Sequence, residues 1–291
     1  MMRTLRLFLQ VFIVLLVSSN ITRAQTNFDE TIDQKMNAFV KEKLLFPQYF
    51  NIILPSNNLQ SVSTPSGWGG GNNAYMFVVV GGIFPALYAN PDKADLISTA
   101  GISVGNPVKF VNVSASLNIT RVSDLRDFSG NLLLSKQLRN GGSISVGGLQ
   151  LFASKSVSDA PDPTFYVAYS HAVQSVKSEV DGFSALGYTI GIGTGRFLHK
   201  SPDDVRTGKG RYGTGVFASV SYEVISRLNL NAEWSGLNLG FSMGVRPVKQ
   251  SAVTMGFGVH NLTRFSGDRV TFLALVGIPV FLKKNKQVFN P

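Results

Sequence analysis

The chain has 291 residues, 44% of them hydrophobic and only 15% charged, with 29 glycines, no cysteine and a formal net charge of +10. The missing cysteine excludes a disulfide framework, an iron–sulfur cluster and a thiol catalyst. The hydrophobic content excludes an intrinsically disordered chain.

Chain order supplies a compartment first. Arg3 and Arg6 precede an apolar run from Leu7 to Val17, and small residues follow at Thr22 and Ala24. This pattern predicts a secretory signal over residues 1–24, cleaved before Gln25. A single membrane anchor is the alternative, but the run is short for the roughly 20 apolar residues that a spanning helix needs. Without Arg3, Arg6 and Arg23, 24 of the 27 basic residues remain against 17 acidic, a net +7. They are scattered along an exported chain, which argues against nucleic acid and for membrane lipids and lipopolysaccharide as the counter-charge.

Residues 25–73 form a separate N-terminal segment, expected to lie at the periplasmic side or to plug a lumen. Phe28, Ile32, Met36, Phe39, Val40 and Leu44 follow a helical stripe with acids early and lysines late, which suits the helix dipole. LLFPQYFNIIL, residues 44–54, is extended and very apolar. Its Phe46, Tyr49, Phe50, Ile52 and Ile53 are candidates for plugging a lumen or docking a partner. TPSGWGGGNN, residues 64–73, reads as a glycine-rich joining stretch.

From residue 74 to 291 the pattern changes to period two. FSALGYTIGIGTGRF, residues 183–197, puts Leu186, Tyr188, Ile190 and Ile192 on one face and Gly187, Thr189, Gly191 and Gly193 on the other. Strict alternation means a strand. One greasy face and one small or polar face, repeated segment after segment, predicts an all-β fold: a transmembrane antiparallel up-and-down β-barrel facing lipid outward. Twelve strands are predicted, at 74–83, 96–105, 108–120, 128–138, 143–154, 164–174, 184–194, 213–225, 227–235, 237–247, 251–262 and 269–281. Ten or fourteen remain open, because 74–83, 128–138 and 227–235 alternate less clearly. With an upward first strand, short turns such as 106–107, 139–142, 226 and 247–250 fall on the periplasmic side and long loops on the other, as expected. The long turn 175–182 and the two-residue hairpin 235–236 depart from that rule.

Candidate chemistry is sparse. The histidines are His171, on the lipid-facing parity at a strand end, His199, in a long loop, and His260. His260 shares lumen parity with Glu223, Glu233 and Arg246, which predicts a polar network stiffening the lumen; no spacing singles out a nucleophile. Residues 191–195 miss the dinucleotide fingerprint, and 208–210 lack the remainder of a phosphate loop. The sequons at Asn112, Asn118 and Asn261 fall on or beside polar strand faces, so lumen lining explains them. HKSPDDVRTGKGR, residues 199–211, reads as a solvated surface loop. No cofactor or metal is expected.

Over residues 64–281, TPSGWGGG, GNPVKFVNVSASL, FSGNLLLSKQL, YTIGIGTGRF and SRLNLNAEWSGLNLGFSMGVRP resemble poorly characterised Gram-negative outer-membrane barrels. The SRLNLNAEWSGLNLGF hairpin is similar to barrels of the YjbH type, which implies a link to exopolysaccharide export. Phe281 followed by LKKNKQVFNP departs from the usual barrel ending. Together these readings predict a non-enzymatic protein of the cell outer membrane. It is expected to be a structural or accessory subunit of an export or secretion assembly, with other outer-membrane or periplasmic proteins as partners. A small porin-like channel and a barrel hydrolase are the alternatives.

Overall fold

The computed structural model describes residues 53–56, 58–71, 74–86, 94–121, 126–153, 160, 162–248, 251–267 and 269–282. The signal segment, the helical stripe from Phe28 to Leu44 and the candidates Phe46, Tyr49, Phe50 and Ile52 lie outside them. Ile53 lies within.

Fourteen strands form among the described residues. Two are short, β1 (Leu54–Pro55) and β8 (Phe183–Ser184), and pair with each other in parallel. The other twelve are β2 (Tyr75–Phe84), β3 (Asp95–Gly105), β4 (Asn112–Arg121), β5 (Arg126–Gln137), β6 (Gly142–Leu151), β7 (Thr164–Ala172), β9 (Leu186–Gly193), β10 (Val216–Ile225), β11 (Leu228–Trp234), β12 (Leu239–Val245), β13 (Thr254–His260) and β14 (Thr271–Phe281). They close antiparallel, with β14 pairing β2 from Phe272↔Phe84 to Phe281↔Tyr75. Every predicted strand is present, including the three less regular ones, and each boundary moves by a few residues at most. The turn predicted at Ser226 includes Arg227, at φ 75°.

Closure follows from the outer face. Met76, Val78, Val80, Tyr188, Ile190, Ile192, Val220, Tyr222, Leu230, Phe241 and Phe257 all point outward and are exposed. Water does not tolerate such a band, and hydrocarbon does not tolerate the unpaired edge of an open sheet, so the sheet closes and sits in a bilayer. The chain is therefore an outer-membrane barrel that crosses by strands. Among the described residues no helix is long and apolar enough to cross. The end of β14 at Phe281 and the turns 138–141 and 226–227 share one rim, the periplasmic one by the rule that short turns lie there.

The inner face corrects one expectation. It was read as small or polar throughout, yet Tyr166 of β7 and Phe217 of β10 point inward and are almost fully buried. They meet Phe197, which a 3-10 turn at Gly195–Phe197 folds in from the outer loop. The Phe197 and Phe217 ring centroids lie 4.4 Å apart, and Tyr166 packs edge-on at 6.3 Å from one and 6.1 Å from the other. This explains the bare face of β9. A side chain at Gly191 would strike the Phe217 ring, one at Gly193 the Phe197 ring, and one at Gly147 of β6 the Tyr166 ring. The glycines make room for aromatic bulk delivered by neighbouring strands.

Candidate functional site

The functional region is the lumen, and the chain itself occupies it from the periplasmic rim upward. Ile53 enters at the rim, where its N–H donates to Gln174 Oε1 (2.9 Å) and its carbonyl accepts from Gln174 Nε2 (2.8 Å). β1 then pairs β8, so the long turn around 173–185 exists to hold the incoming chain. Asn58 Nδ2 donates to Asn229 Oδ1 on β11 (2.8 Å), and Asn229 Nδ2 donates to Ser56 Oγ (3.0 Å).

Higher on β11, Glu233 receives the apex of this strap. Its carboxylate accepts from the backbone N–H of Val62 (2.9 Å), Ser63 (2.8 Å) and Thr64 (3.1 Å) and from the hydroxyls of Ser61 and Ser63, each at 2.7 Å. Ser242 Oγ on β12 donates to it as well. Hydrogen bonds to a charged acceptor are stronger than neutral ones, and a carboxylate 1% exposed requires them. The strap then turns back. Gly67 N–H donates to Ser170 Oγ (2.7 Å), its carbonyl accepts from Ser143 Oγ (2.7 Å), and Ser145 Oγ donates to the Ser66 carbonyl (2.8 Å). Gly70 N–H donates to Asn112 Oδ1 (3.1 Å) before the chain reaches β2. TPSGWGG is thus a tethered lumenal stretch rather than a free joining piece. Leu59 lies against Gly244 and Gly256, where a Cβ would meet it.

The predicted lumen residues separate into two groups. Glu233 and His260 belong together: His260 is buried over Gly240, the residue paired with Glu233. Its Nε2 has no hydrogen-bond partner among the described residues. Glu223 and Arg246 sit at the periplasmic mouth around a cavity of about 30 Å³, shared with Ser56, Asn58 and Arg227. Gly187, Thr189 and Gly191 face the lumen and are buried, and Gly193 is half-buried. Thr189 Oγ1 lies 2.6 Å from Ser170 Oγ, so it is part of a packed polar layer. His171 stacks on Tyr188, and His199 on Tyr212.

Sequence reasoning expects a lumen-plugging role within residues 25–73 and puts Asn112, Asn229 and Ser242 on the polar face. It singles out residues 46–53 as the plug, however, and does not single out the stretch from Ser56 to Gly70 or its partners Ser143, Ser145 and Ser170. A usable signal exists. SNNLQSVSTPSG, residues 56–67, is polar without a single charge, the composition of the lumen walls rather than of a water-exposed segment.

At the outer rim, Asp204 follows the start of a one-turn helix, α1 (Pro202–Arg206), and ties two loops together. Its carboxylate accepts from Ser266 Oγ (2.7 Å), Gly267 N–H (2.8 Å) and Ser201 Oγ (2.9 Å), with Lys209 Nζ at 3.4 Å. Burial pushes its pKa up, but these donors outweigh burial and hold it below the ordinary carboxylate value. Among the described residues no cluster of His, Asp and Glu is arranged to hold a metal ion.

No family model matches the sequence, and no curated protein matches it. Among solved structures, the chain is similar to the outer membrane phospholipase (OMPLA) of Salmonella typhi, a dimer with bound calcium. Identity is 10% and the TM-score 0.37, over 71% of this chain and 90% of that one. The Escherichia coli phospholipase gives 10% and 0.36 over 72% and 97%. The outer membrane protein Omp33 of Acinetobacter baumannii gives 13% and 0.35 over 73% and 100%. At these scores the likenesses carry no argument about chemistry. The fold rests on the closed strand order itself.

Proposed function

We propose that this protein is a non-enzymatic outer-membrane barrel closed by its own N-terminal strap, serving as a structural or accessory subunit of a larger export or secretion assembly. One observation carries the reading. Lumen-facing side chains on many strands, among them Ser103, Asn112, Ser135, Ser143, Ser170, Asn229, Asn231 and Glu233, are buried to 2% exposure or less. A water-filled channel wets its lining, so a lining this dry belongs to a filled barrel. A filled barrel offers no route for passive solutes, which favours a role in holding partners over one in transport. The resemblance of the SRLNLNAEWSGLNLGF hairpin to YjbH-type barrels, taken from the sequence alone, is in keeping with that role.

Planar-bilayer recording tests this. The intact protein should conduct little, and replacing residues 56–70 by a short Gly-Ser linker should open a conductance. Large steady conductance in the intact protein overturns the reading in favour of a pore. Co-purification from membranes in mild detergent tests the assembly role. A stoichiometric partner supports it, and recovery of the barrel alone from its native membrane counts against it.

A further inference from the structure

The lipid-facing wall is not uniformly convex. Gly82 of β2 and Ala274 of β14 pair directly across their strands and both point outward. They are the smallest outward residues of that region, and around them stand Phe84, Phe272, Phe257 and Leu96, each about half exposed. The result is an apolar groove of about 600 Å³ in the half of the barrel away from Tyr75 and Phe281, continued toward mid-wall by Phe241 and Leu230. Its depth comes from missing side chains. A Cβ on Gly82 would find only ordinary contacts, at 3.5 Å from Leu96 Cδ2 and 3.6 Å from the Asp95 carbonyl.

Charge above the groove is biased. The connections 195–215 and 261–270 carry Arg196, Lys200, Arg206, Lys209, Arg211, Arg264 and Arg269 against Asp203, Asp204 and Asp268. The other long outer connections, 85–94, 122–125 and 152–163, carry Lys93 and Lys155 against Asp92, Asp124, Asp159 and Asp162. Asp204, one of the few acids on the basic side, is consumed by Ser266 and Gly267 and fastens the two basic loops to each other. The loop 261–270 joins β13 to β14, both of which line the groove. At the interface between them, Trp234 packs on Phe265 and Lys200 Nζ lies 3.8 Å from the Phe265 ring centroid. Trp234 stands four residues above Leu230 on β11, a rise of about 13 Å. Aromatic residues mark the headgroup level in such barrels, so cations sit at headgroup height and the groove lies below them at acyl-chain depth.

We propose that this face is a specific docking site for one molecule of an outer-leaflet lipid that bears phosphate and several acyl chains, the chemistry of lipopolysaccharide. One acyl chain fills the groove over Gly82 and Ala274, and the phosphate meets Lys200 and Arg264. A groove without the basic cap would accept any phospholipid, and a basic cap without the groove would attract any anionic headgroup. The two together select an anionic lipid of the outer leaflet. The inference is independent of the lumenal strap and stands whether or not the barrel conducts.

The full-length protein, folded in detergent micelles with equal amounts of hexa-acylated lipid A and phosphatidylethanolamine, is examined by native mass spectrometry. Retention should favour lipid A. Because two cations near an anionic lipid surface are removed, Lys200→Glu with Arg264→Glu should lower that preference roughly tenfold or more. Gly82→Leu with Ala274→Leu fills the groove while keeping the outer face apolar, and should lower it as well. Heat-modifiable gel mobility checks folding of each variant. Should the double leucine variant lack the folded mobility, Ala274→Leu alone serves, since its side chain is already exposed. Equal retention of the two lipids overturns the proposal. Loss with the charge reversal but not with groove filling also overturns it, because the lipid is then held by charge alone.

Discussion

Two regions of the lumen are filled by opposite means. From the periplasmic rim up to Glu233 the filling is the strap from Ile53 to Gly70, bound through serine, asparagine and glutamate side chains. Toward the outer rim it is the three-ring cluster of Tyr166, Phe197 and Phe217. The difference is thermodynamic. Each neutral hydrogen bond of the strap exchanges with water and contributes a net of only about 0.5–1.5 kcal/mol, and those to the Glu233 carboxylate about 1.5–3 kcal/mol. Burial of a ring has no such substitute, and loses its full value on exposure. The rings are a permanent stopper, whereas the strap is a removable one.

The comparison is broken most strongly at the rings. Phe217→Ala should cost about 3–5 kcal/mol of barrel stability, read as a lower urea midpoint for the loss of heat-modifiable mobility. On the outer face, Ile190→Lys should cost about 2–4 kcal/mol near the bilayer midplane. A hollow lumen would forgive Thr189→Lys on the same strand. Because Thr189 is buried against Ser170, that variant should also lower the midpoint, and a neutral result would mean that the lumen is wet.

The strap gives the next effect. Glu233→Gln replaces a charged acceptor by a neutral amide with two unwanted donors, and should weaken the anchor by about 1.5–3 kcal/mol. Barrel mobility on gels should be retained while protease cleavage within residues 61–64 and bilayer conductance rise together. If conductance rises without new cleavage, the strap is not what closes the lumen.

The smallest effect belongs to the outer clasp. The Asp204 pKa is lower folded than unfolded. Its contribution is therefore fully present above the unfolded carboxylate value of about 3.9 and is lost as pH falls through the lower folded value. Limited proteolysis of residues 199–211 should accelerate only below about pH 4. Asp204→Asn should show that faster cleavage already at neutral pH, with little change in overall stability.

Much of the barrel was legible because a strand writes its two faces into alternate residues. The face assignment of Leu186 to Gly193 needed no structure. The large inward rings were less legible, since Phe217 sits on the lumen parity and reads as an interruption until its partner glycine, Gly191, is known. Phe197 lies in a loop, where no period applies. The strap was the least legible part. Residues 56–70 have neither helical nor strand periodicity, and their bonds reach partners more than 100 residues away. The two irregular connections have the same origin. The turn around 173–185 is long because it grips Ile53 and pairs β1. The hairpin at Ser235–Gly236 is short because the loop above it covers it, with Thr214 N–H donating to the Gly236 carbonyl at 2.9 Å.

The strap begins at Ile53, gripped by Gln174, and ends beside Ala74, whose carbonyl accepts from Leu282 N–H at 3.0 Å, so both its feet stand on one rim. A strap held in that way can leave and return without parting the strands of the wall. Its opening is therefore a local event, uncoupled from parting of β14 from β2. In deuterium exchange, the amides of Val62, Ser63 and Thr64 should form a cooperative unit of their own, exchanging together and long before those of the barrel strands. The barrel would then be a fixed frame carrying one moving part, with the free energy of that part set largely at a single carboxylate.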